Sequence, residues 1–189
     1  MSATNISAAQ VKELRDLTGA GIMECKRALT EAGGDVKKAE AIIVQQGLAK
    51  ADKKSGRSAG EGLIEPYVHG GRIGALVEIN CETDFVARTE DFKALAHDIA
   101  MQVAAMAPRF VTEEEITEAD WAKLDEEFPD RKAAVAAVVL MEQPFIKDSK
   151  VKIADLVRTQ IGKLGENIIV RRFARFEVGA TQSDDTDAE

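Results

Sequence analysis

Long apolar runs are missing from this chain of 189 residues. None approaches the ~18 residues that a membrane-crossing helix needs, so no membrane partner is expected. The first residues, Met1 to Ser7, have no basic stretch followed by an apolar one, so no secretory signal is expected. Aromatic residues supply only 5% of the chain against 45% hydrophobic residues in all, so any core is chiefly aliphatic. Cysteine is scarce. Cys25 and Cys81 lie far apart, form no CxxC pair and cannot hold zinc by themselves. A reduced, cytoplasmic protein is the simplest reading. Positive charge is in the minority, with 25 Lys+Arg against 33 Asp+Glu and a net charge of -8. That speaks against direct binding of a nucleic-acid backbone, which needs a concentrated basic face.

The common catalytic motifs are missing as well. There is no GxxxxGKS or GxxxxGKT, no GxSxG and no HExxH. The two histidines, His69 and His97, have no metal-ligand pattern around them. Cys81 precedes Glu82, a neighbour that disfavours a thiolate. A Cys81–His97 nucleophile pair would lack an orienting third group. The expectation is a protein with no catalytic residues, no metal and no cofactor.

What is present reads as α+β. Residues 1–49 form a small helical module. Ser7 with Gln10 makes a capping box, and Ile6 can staple onto Val11. Val11 and Leu14 share a face, with Leu17 one turn further on. Thr18-Gly19-Ala20-Gly21 breaks this first helix. A second helix carries Ile22, Met23, Cys25, Ala28 and Leu29 and stops at Gly33-Gly34. Asp35 caps a third, with Val36, Ala39, Ile42 and Ile43 inward and Gly47 as its stop. Ile22 and Met23, beside the Gly-rich turn, are either core or partly exposed. Residues 50–62, rich in Gly, Ser and Lys, read as a linker. The core domain is expected over 63–178. His69-Gly70-Gly71 turns a first strand into a second, in which Ile73, Ala75, Val77 and Ile79 share a face. A helix over 89–107, capped by Thr89, buries Phe92, Leu95, Ala96, Ile99, Val103 and Met106. His97 and Asp98 lie off that stripe.

Beyond it, residues 112–131 are acidic with Trp121, Leu124 and Phe128 at helical spacing, and 131–141 suit another helix. Gln143 to Asp148 reads as a turn. A helix over 151–164 stops at Gly165, and 167–178 reads as a strand whose Arg171, Arg172 and Arg175 interrupt its apolar faces. The tail, 179–189, is acidic and expected to lack fixed structure.

The most informative stretch joins the second strand to the 89–107 helix. Thr83 can cap a helix start, and Asp84 suits the positive end of its dipole. Phe85 is the odd residue. A large ring beside a carboxylate on a turn is either a plug for the chain's own core or an outward anchor for a partner, and pattern alone leaves both open.

Leu14 to Leu29, LRDLTGAGIMECKRAL, and Glu78 to Arg88, EINCETDFVAR, resemble two signatures of the bacterial elongation factor Ts family. Gln143 to Asp148, QPFIKD, and Gly165 to Phe173, GENIIVRRF, resemble its C-terminal stretches, in the family's order. Residues 112–135 resemble it least. The resemblance implies a ubiquitin-associated-like three-helix module, then an antiparallel sheet with helices. It implies a guanine-nucleotide exchange factor for the GTPase elongation factor Tu, with no covalent chemistry of its own. Thr83, Asp84, Phe85 and Val86 match the segment that enters beside the GTPase's Mg²⁺ site, with the Phe wedged between two helices. Arg15, Ile22 and Met23 match positions that touch a GTPase helix, and His97 a position facing the phosphate-binding loop. The competing reading is a ubiquitin-associated-type adaptor or dimerisation module without exchange activity. The chain carries one hairpin-and-helix unit where longer relatives carry two. Pairing of two chains through their core domains is therefore expected, the alternative being a monomer with residues 112–141 over the sheet edge.

Overall fold

Local signals decide where the first helices begin and end. The computed structural model describes residues 6–180. Helix α1, Ala8–Thr18, opens on the Ser7–Gln10 box, with Gln10 N donating to Ser7 Oγ (3.2 Å) and Ser7 N to Gln10 Oε1 (3.0 Å). It closes at Gly19, whose positive φ of 67° suits a residue without Cβ. Helix α2 covers Ile22–Glu31, and α3 covers Val36–Asp52 with Asp35 accepting from Lys38 N (3.1 Å). Leu14, Cys25, Ala28, Leu29 and Ala39 form the sealed centre of this bundle.

Gly47 does not stop α3. The helix runs on to Asp52, and the turn behind it is hydrogen-bonded rather than loose, so the stretch read as a linker is ordered for much of its length. The cause is a neighbour far along the chain. Arg158–Asn167 clusters with the residues up to Arg57 in one unit, and Ser58–Val157 with the chain from Ile168 onward in another. Within the first unit Gly47 meets Gly162 of helix α8, Ile153–Leu164. Two helices come this close only where side chains are missing. Asp52 pairs with Arg158, Lys54 Nζ donates to Gly165 O, and Lys50 Nζ donates to Glu24, holding that carboxyl below its usual range.

In the second unit strand β1, Glu61–His69, and strand β2, Ile73–Cys81, form an antiparallel hairpin. Gly70 and Gly71 both take positive φ in its turn, and Arg72 N donates to His69 O (3.0 Å). Strand β5, Ile168–Glu177, pairs antiparallel on the other side of β2, giving the order β1-β2-β5. Ala75, Val77, Ile79 and Cys81 point to the buried face, as the period-two reading expects. Helix α5, Glu90–Met106, packs on β1 and β2 and buries Phe92, Leu95, Ala96, Ile99 and Val103. Each large side chain there contributes ~1.5–3 kcal/mol. Met106 ends the stripe exposed instead of buried. A bulge between Glu78 and Ile79 leaves Arg171 unmatched and resets β5. Its other arginines find acids, Arg172 with Glu78 (2.7 Å) and Arg175 with Glu177 (2.8 Å).

Residues 112–141 make helices α6, Glu118–Glu127, and α7, Arg131–Val138, around a satellite cluster of Ile116, Trp121, Leu124, Ala134, Val138 and Val139. The stretch read as a turn, Gln143 to Asp148, is part of a small hairpin of β3, Pro144–Phe145, and β4, Asp148–Lys152, so α8 starts two residues later than the periodicity suggests. Gln143 and Gln102 are fully buried and bonded to each other (3.1 Å), which fixes this hairpin to α5. The acidic tail falls, from residue 181 on, outside the described residues.

The glycine pair gives an asymmetric expectation. A Cβ on Gly162 would lie 2.7 Å from Gly47 Cα, whereas one on Gly47 would lie 3.8 Å from Gly162 Cα. Gly47→Ala should be neutral or stabilising by up to ~1 kcal/mol through helix propensity. Gly162→Ala should cost ~1–3 kcal/mol, because its obstacle is backbone. Thermal unfolding followed by circular dichroism checks the order; equal melting temperatures for the two variants would contradict it.

Candidate partner-binding site

Strand β2 ends at Cys81, which is buried and paired with Glu61 on one side and Ile168 on the other. The chain then leaves the sheet through Glu82 and Thr83 into a single helical turn, α4, Asp84–Ala87. Thr83 has the extended backbone of a cap, and its Oγ1 accepts from Val86 N at 3.5 Å. Its carbonyl accepts twice, from Ala87 N (3.2 Å) and from the Cys81 thiol (3.1 Å). At the far end Thr89 Oγ1 donates to Val86 O (2.8 Å) and accepts from Phe92 N (3.3 Å), which joins α4 to α5. The turn is braced at both ends.

A turn this short has few inward positions, and Ala87 takes one of them. Phe85 stands 79% exposed. The core-plug alternative is therefore excluded. Asp84 and Arg88 form an exposed ion pair beside the ring (2.8 Å), an interaction of ~0–1 kcal/mol that a partner can replace at little cost.

His97 lies on the flank of α5 over β1. Its Nδ1 is 3.0 Å from Glu65 Oε1, and its ring meets the Tyr67 ring edge-on at 5.5 Å. Cys81 is sealed and its thiol donates to Thr83 O, whereas the contacts of His97 run to Glu65 and Tyr67. No group of three or more His, Cys, Asp or Glu side chains among the described residues is placed to hold a metal ion.

In the helical unit, Arg15 is exposed in the last turn of α1, and Ile22 and Met23 open α2 at 57% and 73% exposure. The core alternative for these two fails. Leu17 is exposed as well, although its spacing from Leu14 suggested the inner face. A Gly19-Ala20-Gly21 turn two residues after Leu17 was the available signal, since it ends α1 before that face closes over. These four residues belong to one unit, and Thr83 to Val86 and His97 to the other.

A family model described as "Elongation factor TS" matches residues 48–137, and so runs through the 112–135 region that resembled the family least. The chain is 49% identical over 195 residues to an elongation factor Ts of Koribacter versatilis, covering 93% of this chain and 89% of that one. Similarity to the elongation factor Ts of Moorella thermoacetica is 50% over 196 residues, covering 92% and 96% of the two chains. With that of Herpetosiphon aurantiacus it is 50% over 196 residues, covering 93% and 99%. Identity of this order along nearly the whole of both chains, on a fold with one braced and outward phenylalanine, settles the kinship: the chain belongs to the elongation factor Ts family.

Proposed function

We propose that this chain, an exchange factor for elongation factor Tu by family, expels GDP by driving the Phe85 ring into the GTPase beside its Mg²⁺ site. It is not an enzyme; no bond is made or broken. The observation that carries this reading is a large apolar ring held in water on a turn braced at both ends. Thr83 and Val86 supply that bracing. Asp84 would exchange its ion pair with Arg88 for groups near the metal. His97 would face the phosphate-binding loop from the flank of α5. Displacing the groups that hold Mg²⁺ weakens phosphate binding, so GDP leaves and GTP takes its place. The energetic logic is reciprocity: a factor that binds the empty GTPase more tightly than the loaded one lowers nucleotide affinity by the same factor. An adaptor would give the exposed ring no task. Family membership supports a cytoplasmic setting for this work, and no helix among the described residues is long and apolar enough to cross a membrane.

The helical unit supplies a second contact through Arg15, Ile22 and Met23. Its role is docking, which adds effective concentration for the exchange turn. The third element is a second copy of the chain. Helix α5 covers one face of the β1-β2-β5 sheet, while the other leaves Ile64, Val68, Leu76 and Phe176 exposed. By register, Pro66–Leu76–Ala174 and Val68–Gly74–Phe176 form rows across all three strands of that face. Residues 112–141 pack around their own cluster and leave these side chains exposed. Two such sheets related by a two-fold axis would cover each other, each chain supplying the unit its partner lacks.

Three outcomes are expected. Phe85→Ala should leave the melting temperature unchanged within a degree or two. Release of a fluorescent GDP analogue from elongation factor Tu at saturating factor should slow by well over tenfold, a loss of ~2–4 kcal/mol typical of an interface anchor. A large drop in melting temperature with normal release would refute the wedge. Met23→Ala should instead raise the half-saturating concentration and leave the saturating rate nearly intact. Substitution is the sound test here, because removing residues 1–50 would cut α3 short of its end at Asp52. Light scattering at tens of micromolar should give the mass of two chains, reduced towards one by Leu76→Lys. A monomer mass for the unaltered chain would rule out the pairing.

A further inference from the structure

Both histidines of the chain meet on one tyrosine. Glu65, Tyr67 and His69 are alternate residues of the edge strand β1, so they stand on one face of it. His97 reaches that row from α5, which packs on β1. Its ring meets the Tyr67 ring edge-on, with 5.5 Å between centroids and 75° between planes, and the Tyr67 ring stacks on His69 at 6.2 Å. Tyr67 Oη is 3.2 Å from His69 Nδ1, and His97 Nδ1 is 3.0 Å from Glu65 Oε1. All four residues belong to one unit, the one that also carries the Phe85 turn. Glu65 is the more sheltered of its pair, with a side chain 25% exposed against 51% for His97. In register it lies opposite Val77, a sealed residue of β2, which fixes its backbone.

A carboxylate has acceptors only, so the hydrogen of the Glu65–His97 bond sits on Nδ1. In a neutral imidazole that choice decides the other nitrogen: Nε2 then carries a lone pair and no hydrogen. With Nδ1 engaged, Nε2 is the nitrogen left for a partner. We propose that Glu65 is a positioning residue for exchange, one that fixes His97 as an acceptor for a backbone N–H of the GTPase's phosphate-binding loop. This rests on the reading given above that His97 faces that loop. Such loops hold phosphate through converging backbone N–H groups. A lone pair on Nε2 is repelled by phosphate oxygens and matches one of those N–H groups instead. Each N–H that His97 takes is one that the nucleotide loses. The opposite tautomer, or a doubly protonated ring, would present a donor there and hold the phosphate in place. Tyr67, edge-on to the ring, keeps the imidazole plane at a fixed angle to the strand.

The first arm of the test needs no GTPase. Long-range proton–nitrogen correlation spectra, recorded where both imidazoles are neutral, show which nitrogen carries the hydrogen. His97 of the unaltered chain should carry it on Nδ1. In Glu65→Met, which keeps the side-chain length and loses both acceptors, it should shift towards Nε2, with unchanged His69 signals as the control for an intact β1. Hydrogen on Nε2 of His97 in the unaltered chain, or the same tautomer in both chains, would overturn the proposal. The second arm measures release of the fluorescent GDP analogue from elongation factor Tu against factor concentration. Glu65→Met should lower the rate at saturation about three- to tenfold, the scale of one hydrogen bond, and leave the half-saturating concentration nearly unchanged. His97→Ala should do the same, and the double variant should be no slower than His97→Ala alone, because Glu65 acts through His97. Independent, multiplying effects would overturn the positioning role. If His97→Ala slows release and Glu65→Met does not, the loop contact stands and the role of Glu65 falls. If His97→Ala changes nothing, the loop reading itself fails and takes the exchange role of Glu65 with it, whatever tautomer the spectra show.

Discussion

Ala87, not Phe85, is the residue that α4 turns toward the sheet, and the site depends on that choice. A single turn anchored by one small side chain can hold a large ring outward only if its backbone is fixed from both ends. Cys81 and Thr83 fix the start, and Thr89 fixes the end by bonding to Val86 O and Phe92 N. Both anchors are extensions of rigid elements, the central strand and the long helix packed on it. The exposed ring forgoes the ~1.5–3 kcal/mol that burying a Phe would yield. The sheet and α5 supply that stability elsewhere through Val77, Ile79, Phe92 and Ile99, which are sealed from water.

The same economy runs through the helical unit. Its own centre is five small or aliphatic residues, too little for a robust domain. It gains a further helix face from Arg158–Leu164, brought close by the Gly47–Gly162 contact. Apolar residues at the start of α2 can thereby stay exposed, because the unit's stability does not depend on burying them. The stability of this unit and its surface are thus drawn from different stretches of sequence.

Most of the fold was legible because its signals are local. Ser7–Gln10, Asp35 and Thr89 announce helix starts with their own hydrogen bonds, and the period-two run Ile73 to Ile79 fixes which face of β2 is buried. The reading went astray where a distant neighbour overrides local preference. Gly47 looks like a stop until Gly162 is placed against it. Gln143 to Asp148 looks like a bare turn until Gln102, far away in sequence, pins it as a hairpin. The site was legible in kind but not in orientation. Residue type places Phe85 on a turn, and nothing in the pattern says whether Ala87 or Phe85 faces in. Leu17 was missed for the converse reason: its spacing is helical, but the glycine turn ends the face it would have joined.

Rigidity of the turn is itself part of the exchange argument. A ligand shifts a conformational equilibrium only by the difference in its affinity for the two states. A flexible loop carrying Phe85 could fold itself to fit both the loaded and the empty GTPase, and the difference would shrink toward zero. A turn held by Cys81, Thr83 and Thr89 cannot shift its backbone aside without breaking those bonds. On the proposed reading it would fit a GTPase that has opened beside its metal and clash with one that has not. That misfit would be the differential free energy, and at ~1.4 kcal/mol per tenfold change a few broken contacts on the closed form would suffice for a large acceleration. The brace therefore matters as much as the ring, and a chain that kept Phe85 but loosened Thr83 would bind its partner and release little nucleotide.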